Sequence, residues 1–304
     1  MNTKRRKPIR KTRVLFILAH ISLPIISWLV FYIYANISSF GMAFTDRNGV
    51  FSFENFIRFF NEFSLPTSQI RMALKNTLLT FAIILVAYPF RVLVSFFIYK
   101  KVPFASIYRV LFFLPSIIFS VAIAMVFTRM VSPTGLIAEL VQNIAGMEDV
   151  PELLADSRFA NTTVILHMLW LGFPGDLIIW GGTFARIPDD VLEAGRMDGV
   201  SWWTEFTKII VPMVWPTISL QMVLMFCGIF GASGAVFLLT QGQYGTITIP
   251  AWMYLQLYTN SGSVFSSNAY NYLSAVGMVI TILAVTISLL IRKFADNFFE
   301  EVEF

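Results

Sequence analysis

The sequence predicts an all-α integral membrane protein with six transmembrane helices and both termini in the cytosol. Three observations predict it. Of 304 residues, 57% are hydrophobic and 13% charged, with a mean hydropathy of +0.71, whereas soluble domains run to about 45–50% apolar and about 25% charged. Six stretches are long and apolar enough to cross a bilayer, which takes about 20 residues: 14–35, 77–99, 110–130, 162–184, 213–239 and 273–291. Finally, if the N-terminus is cytosolic, 15 of the 22 Lys and Arg fall on the cytosolic side, six fall outside and Arg91 falls within a span, the bias that sets orientation.

The elements follow in order. Residues 1–13 hold seven Lys and Arg; directly before an apolar run, such a basic tail meets lipid headgroups rather than nucleic acid. The tail and the run 14–35 together imitate a signal peptide, but the run is too long and no small-x-small cleavage site follows, so it reads as a retained span. Residues 36–72 form an extracellular loop. Pro89, Pro115 and Pro174 interrupt later spans; at membrane depth such breaks line a cavity or are re-satisfied by neighbouring helices. His20 and His167 each stand alone and read as packed polar residues. The acids Glu139, Glu148, Asp149, Glu152 and Asp156 of the third loop read as a solvated outer surface.

Two charges lie inside spans, where ionisable groups are costly and pair with one another. Arg91 and Asp176 sit about eight to nine residues from the cytosolic ends of the second and fourth spans, so at about 1.5 Å per residue their depths agree. The spacing predicts a structural ion pair in preference to a substrate contact; Arg91 snorkelling inward is the alternative.

The cytosolic loop 185–212 is charged and split by a glycine. Asp190 with Glu193 fits a capping box, starting a short helix that runs to Asp198. Gly199 breaks it. Ser201 caps a second short helix whose apolar face is Trp202, Trp203, Phe206, Ile209 and Ile210, and Pro212 and Pro216 start the fifth span. A helix, hinge and helix with an acidic tip suits docking to something in the cytosol; a solvated connector is the plainer reading. From Ile209 to Ile291 there is no Asp, Glu, Lys or Arg. The outer loop 240–272 is rich in amides, hydroxyls and aromatic rings, which suits neutral polyhydroxy ligands, although Tyr and Trp also collect at membrane interfaces. Trp170, Gln221 and Ser233 could line a path through the spans or serve as helix–helix glue.

Several functions are excluded. The single Cys227 permits no intrachain disulfide and no thiolate metal site. No G-x-x-x-x-G-K-[ST] occurs, so the chain has no phosphate-binding loop of its own. No catalytic constellation, metal-ligand spacing, internal repeat or low-complexity tract is present.

The passage EAGRMDGVSWWTEFTKIIVPMVWP resembles the EAA loop of binding-protein-dependent ABC importer permeases. Glu193, Ala194, Asp198, Gly199, Phe206, Ile209, Pro212 and Pro216 are in register, and Gly195 and Val200 stand where that pattern has Ala, which loosens the first helix. The resemblance implies a type I ABC importer transmembrane fold over 73–291, with the EAA coupling loop at 185–212 and a cytosolic tail at 292–304. It implies that Glu193, Ala194, Gly195, Asp198, Gly199 and Phe206 couple the chain to a separate ATPase. It also implies a second permease subunit, like or unlike, two ATP-binding subunits, an external solute-binding protein, ATP-Mg bound on the partner ATPases alone, and the plasma membrane of a bacterium. FLLTQGQYGTITIPAWMYLQLY is similar to the loop after the fifth span of carbohydrate-type permeases, implying a sugar or oligosaccharide cargo. Two alternatives stand beside this. One is the same architecture importing an amino acid, a polyamine or a phosphate-like solute. The other is a membrane-embedded enzyme, which would want paired carboxylates or histidines at one membrane face.

Overall fold

The structure, a computed structural model, describes residues 11–145, 150–231, 233–258 and 267–298. Two compact units are present: Met1–Asn61 with Ser261–Ile280, and Glu62–Asn260 with Thr281–Phe304.

In the first unit, α1 (Lys11–Trp28), a π-helical turn (Leu29–Tyr34) and α2 (Ala35–Ala43) form one continuous run. The helix thus passes beyond Ala35 to Ala43. A bridge between Thr45 and Phe51 then closes a turn around Asp46, whose Oδ1 accepts from the Asn48 and Val50 amides, each at 2.8 Å. The Asn55 amide group donates to the Ala43 and Thr45 carbonyls, and that of Asn271 also donates to Thr45. The amphipathic α3 (Glu54–Ser64) follows.

The second unit is organised on α4 (Gln69–Tyr99) and α8 (Ala160–Phe184). At 31 residues, α4 is about 46 Å long, longer than a hydrocarbon core of about 30 Å, so it is long enough to cross one with turns to spare. Between these helices lie α5 (Ala105–Ile117), α6 (Ser120–Val131) and α7 (Leu136–Ala145). The single span expected at 110–130 is therefore two helices, parted where Ile118 and Phe119 turn extended (ψ 140° and 134°). Pro115 sits inside α5 rather than at the break.

After α8 come α9 (Asp189–Met197), the single turn α10 (Trp202–Thr204), a π-helical segment (Glu205–Ile210) and α11 (Val211–Ile229). The fifth span accordingly starts at Trp202, earlier than expected, and runs unbroken to Ile229. Pro212 directly follows the π-helical segment inside this continuous run, and so does not part the two. The span ends before α12 (Gly234–Leu239). The outer segment carries a helix of its own, α13 (Ile249–Tyr258), and α14 (Ser267–Asp296) closes the chain. Six helices among the described residues are long and apolar enough to cross a membrane.

In the second unit the apolar core gathers at the end that carries α9: Val92, Phe96, Trp180, Phe184, Leu192, Phe206, Ile210 and Val214 are buried together. Helices in lipid gain little by burying grease against grease, so packing and polar contacts decide how they associate. The polar contacts are accordingly specific. Trp215 donates to the Ala295 carbonyl (2.7 Å), and Ser219 to Asp296 (3.2 Å).

Candidate functional site: the α8–α11 connection

The connection begins at α9. Its N-cap is Pro188, and Asp189 and Asp190 lie within the first turn with no side-chain cap. The expected capping box of Asp190 and Glu193 therefore does not form, because the helix starts two residues early. The two carboxylates instead favour the positive end of the helix dipole. At the other end, the Gly199 amide donates to the Arg196 carbonyl and the Val200 amide to that of Gly195, each at 3.1 Å. This is a Schellman turn, and Gly199 takes φ +69°, where a Cβ is strained. The glycine break expected from the sequence is thus present, with Asp198 as the C-cap.

Gly195 also serves packing. It is buried, and a Cβ there would stand 3.1 Å from Ile209 Cδ1 and 3.8 Å from Val200 Cγ2. The missing methyl lets Ile209 pack onto α9, which is helical over Asp189–Met197. Glu193, Ala194, Arg196 and Asp198 are exposed, and Met197 is 88% exposed. The outer face of α9 is therefore free in this chain while its inner face, through Leu192 and Gly195, is packed.

Ser201 caps the second arm as expected, accepting from the Thr204 amide at 3.3 Å. Phe206 is buried against Phe96, with ring centroids 5.2 Å apart, and Trp202 lies 5.3 Å from Phe97. One contact escaped the sequence reading. Glu205, 5% exposed, pairs with Lys100 at 2.5 Å, and the Lys100 ammonium also lies 5.2 Å from the Phe96 ring centroid. Charges of opposite sign at sequence positions 105 apart carry no local signal.

Deeper in the bundle, Arg91 Nη2 and Asp176 Oδ2 meet at 2.5 Å with both side chains 9% exposed. The pair expected from matched depths is formed, and the snorkelling alternative is not. Gly172 makes the room: a Cβ there would lie 2.7 Å from Arg91 Nη2.

The three residues considered for a path do not converge. Trp170 belongs to an aromatic group with Phe127 and His167, Gln221 is half-buried on α11, and Ser233 precedes α12 beyond the end of α11. No hydrogen bond or ring contact joins them among the described residues. His167 is buried against Phe127 at 4.8 Å. Among the described residues, no three His, Cys, Asp or Glu stand close enough to hold a metal ion.

The outer segment is built rather than loose. Gln241, Gly242, Tyr244 and Gly245 all take positive φ. The turn is fixed by Asn76 on α4, whose amide group donates to the Gly245 (2.6 Å) and Ile247 (2.9 Å) carbonyls, while Thr77 accepts from the Ile249 amide at 3.0 Å. Tyr254 and Tyr258 are exposed and in contact, with ring centroids 4.4 Å apart and planes tilted by 38°. Residues 259–266 of the expected loop lie outside the described residues.

The sequence profile of the binding-protein-dependent transport system inner membrane components matches residues 65–300. The chain belongs to this family. It is 28% identical to the probable ABC transporter permease protein YurN of Bacillus subtilis, over 64% of this chain and 65% of that one. It is 24% identical to the multiple sugar-binding transport system permease protein MsmF of Streptococcus mutans, over 90% of this chain and 93% of that one. It is 31% identical to the maltose/maltodextrin permease MalF of Escherichia coli over 47% of this chain. The matched stretch spans only 65% of YurN and 28% of MalF. In fold it is similar to a bacterial ABC transporter involved in the import of the acidic polysaccharide alginate, with a TM-score of 0.77 and 22% identity over 93% of this chain. The family resemblance read from Glu193 to Pro216 is borne out, and the chain is a multi-pass membrane component.

Proposed function

We propose that the chain is one permease subunit of an ATP-driven importer, carrying a neutral sugar or oligosaccharide handed over by an external binding protein. Two permeases, like or unlike, pair with two ATPase subunits that bind ATP-Mg, and the α9 end faces the cytosol with both termini. The observation that carries this reading is α9 itself: a short helix with a packed inner face, a free outer face bearing Glu193, Arg196 and Met197, and a Schellman turn that fixes its angle to the fifth span. Seated in a cleft of the ATPase, Glu193 supplies charge complementarity, which sets register more than affinity. Rigid-body movement of the connection then alternates access through the bundle.

The relatives named for maltodextrin, multiple sugars and alginate support a saccharide cargo. The charge balance favours a neutral one. Arg91 is the one cation deep within the spans assigned from the sequence, Arg129 lying in the last turn of its helix, and the Arg91 charge is already matched by Asp176, leaving no unmatched cation at mid-depth to attract a uronate. Tyr254 and Tyr258 offer faces for sugar rings. The test has two parts. The external binding protein that stimulates the complex is screened against neutral and uronic oligosaccharides; preference for the uronic set would overturn the neutral cargo. Glu193→Lys is expected to leave the spans folded while uptake of the best-bound glycan collapses, and wild-type uptake by that variant would overturn the docking role.

A further inference from the structure

The two arms of the α8–α11 connection differ in what holds them. The second arm runs without a break into α11, so displacement of the connection reaches that span directly. Reaching α4 requires a contact, and three are present: Phe97 with Trp202, Phe96 with Phe206, and Lys100 with Glu205. Ring contacts between apolar surfaces are non-directional and tolerate sliding. A nearly buried ion pair does not, because separating it strands a charge away from water.

The local backbone serves this pair. Glu205 opens the π-helical segment, and the Val211 amide closes on the Phe206 carbonyl, five residues back. The wider turn brings Glu205, Phe206 and Ile210 to the buried side together, and single π-turns of this kind collect at functional sites. Glu205 lies near the N-terminal end of its helix and Lys100 caps the C-terminal end of α4, so each charge also suits its helix dipole.

We infer that Lys100 and Glu205 form a strap that makes the second arm and α4 move as one body during the transport cycle, and that both are positioning residues for coupling. The inference rests on the reading of this connection as the ATPase-docking element. Through α4 the strap extends further: Arg91 ties the same helix to α8, and Asn76 ties it to the outer turn.

The test uses the whole complex, purified with its ATPase subunits and binding protein and reconstituted into phosphatidylethanolamine–phosphatidylglycerol nanodiscs. Lys100→Met and Glu205→Gln are each expected to co-purify with the ATPase and to keep basal ATP turnover. Stimulation of turnover by the binding protein should fall about tenfold, within the usual range for coupling between sites. The exchange Lys100→Glu with Glu205→Lys should recover the larger part of the stimulation, incompletely because each charge then sits at the unfavourable helix end. In a Cys227→Ser background, a short bis-maleimide joining Lys100→Cys to Glu205→Cys should restore it as well. Wild-type stimulation in both single variants would overturn the strap, as would a folded, assembled exchange variant and crosslinked pair that both stay unstimulated. If the wild-type chain captures no ATPase at all, the docking reading fails first and the strap falls with it.

Discussion

The two connections that grip α4 make an instructive pair. At one end the α9–α10 connection is held by a charge, Lys100 on Glu205; at the other the outer turn is held by neutral groups, Asn76 and Thr77 on backbone. Asn76 and Lys100 are about 36 Å apart along the helix, slightly more than a hydrocarbon core. Both ends use glycines at positive φ, Gly199 in one and Gly242 and Gly245 in the other. On the function proposed above, the difference lies in what each has to do. A segment that meets a moving partner in water can use charge for register. A segment facing an uncharged cargo gains from carrying no charge, so it is set by amide and hydroxyl geometry. Midway, the Arg91–Asp176 pair holds α4 to α8 at a depth where neither solution is exposed to water.

Breaking the middle fastener is expected to have the largest effect. Asp176→Ala leaves the Arg91 guanidinium buried and unmatched, at a cost of about 3–5 kcal/mol. This is measurable as a lowered unfolding midpoint in detergent. The double reversal Arg91→Asp with Asp176→Arg should regain part of it, and no rescue would mean that the two act separately.

Next comes the neutral end. Asn76→Ala removes the donor to two carbonyls at once, and each buried group left unpaired costs about 1–3 kcal/mol. Amide exchange in 244–249 should accelerate while exchange in 189–200 is unchanged. The loss should also be insensitive to salt, whereas the effect of Glu205→Gln should shrink as ionic strength rises, since Lys100 is a quarter exposed. Equal salt responses at the two ends would erase the distinction between them.

The sequence disclosed features whose physics is local or depth-matched. Hydropathy located the spans, Gly199 marked the break, Ser201 marked a cap, and equal depths paired Arg91 with Asp176. It concealed what depends on distant partners. Lys100 and Glu205, or Asn76 and Gly245, meet only because α4 packs beside them. Punctuation also misled where its cost is positional. Pro212 looked like a boundary but follows a π-helical segment inside a continuous helix. The break at Ile118–Phe119 has neither Gly nor Pro at the bend. The helix α13 hides in a segment whose polar and aromatic residues follow no helical period, because its buried residues Ile249, Ala251 and Trp252 answer to their surroundings.

Gly199→Ala tests the hinge alone. Open space surrounds the position, so the cost is the left-handed conformation itself, about 1 kcal/mol. Gly242→Ala should cost about the same, because its Cβ would meet Leu255 at 3.4 Å and Ile247 at 3.6 Å, ordinary contact distances. A larger loss at Gly199 than at Gly242 would mean that the α9 turn, and not the outer turn, is the tighter of the two.

The smallest effect belongs to a third ion pair, which calibrates the others. Arg158 donates to Asp156 through Nε and Nη2, the latter at 2.5 Å, and its side chain is 74% exposed. The Arg158 side chain first, and its backbone amide second, hold the Asp156 carboxyl below its ordinary range. A depressed carboxylate contributes stability above its unfolded pKa and loses it as pH falls through the folded value. Any acid sensitivity from this pair therefore lies at and below the ordinary carboxylate range, not near neutrality. Arg158→Ala is expected to leave the unfolding midpoint at pH 7 unchanged. Exposed pairs contribute little, and the backbone amide at position 158 still donates to Asp156. The same contact distance as in Arg91–Asp176 thus accompanies opposite consequences, and water is the variable between them. A midpoint shift in Arg158→Ala matching that of Asp176→Ala would show that burial is not what gives the α4 fasteners their strength.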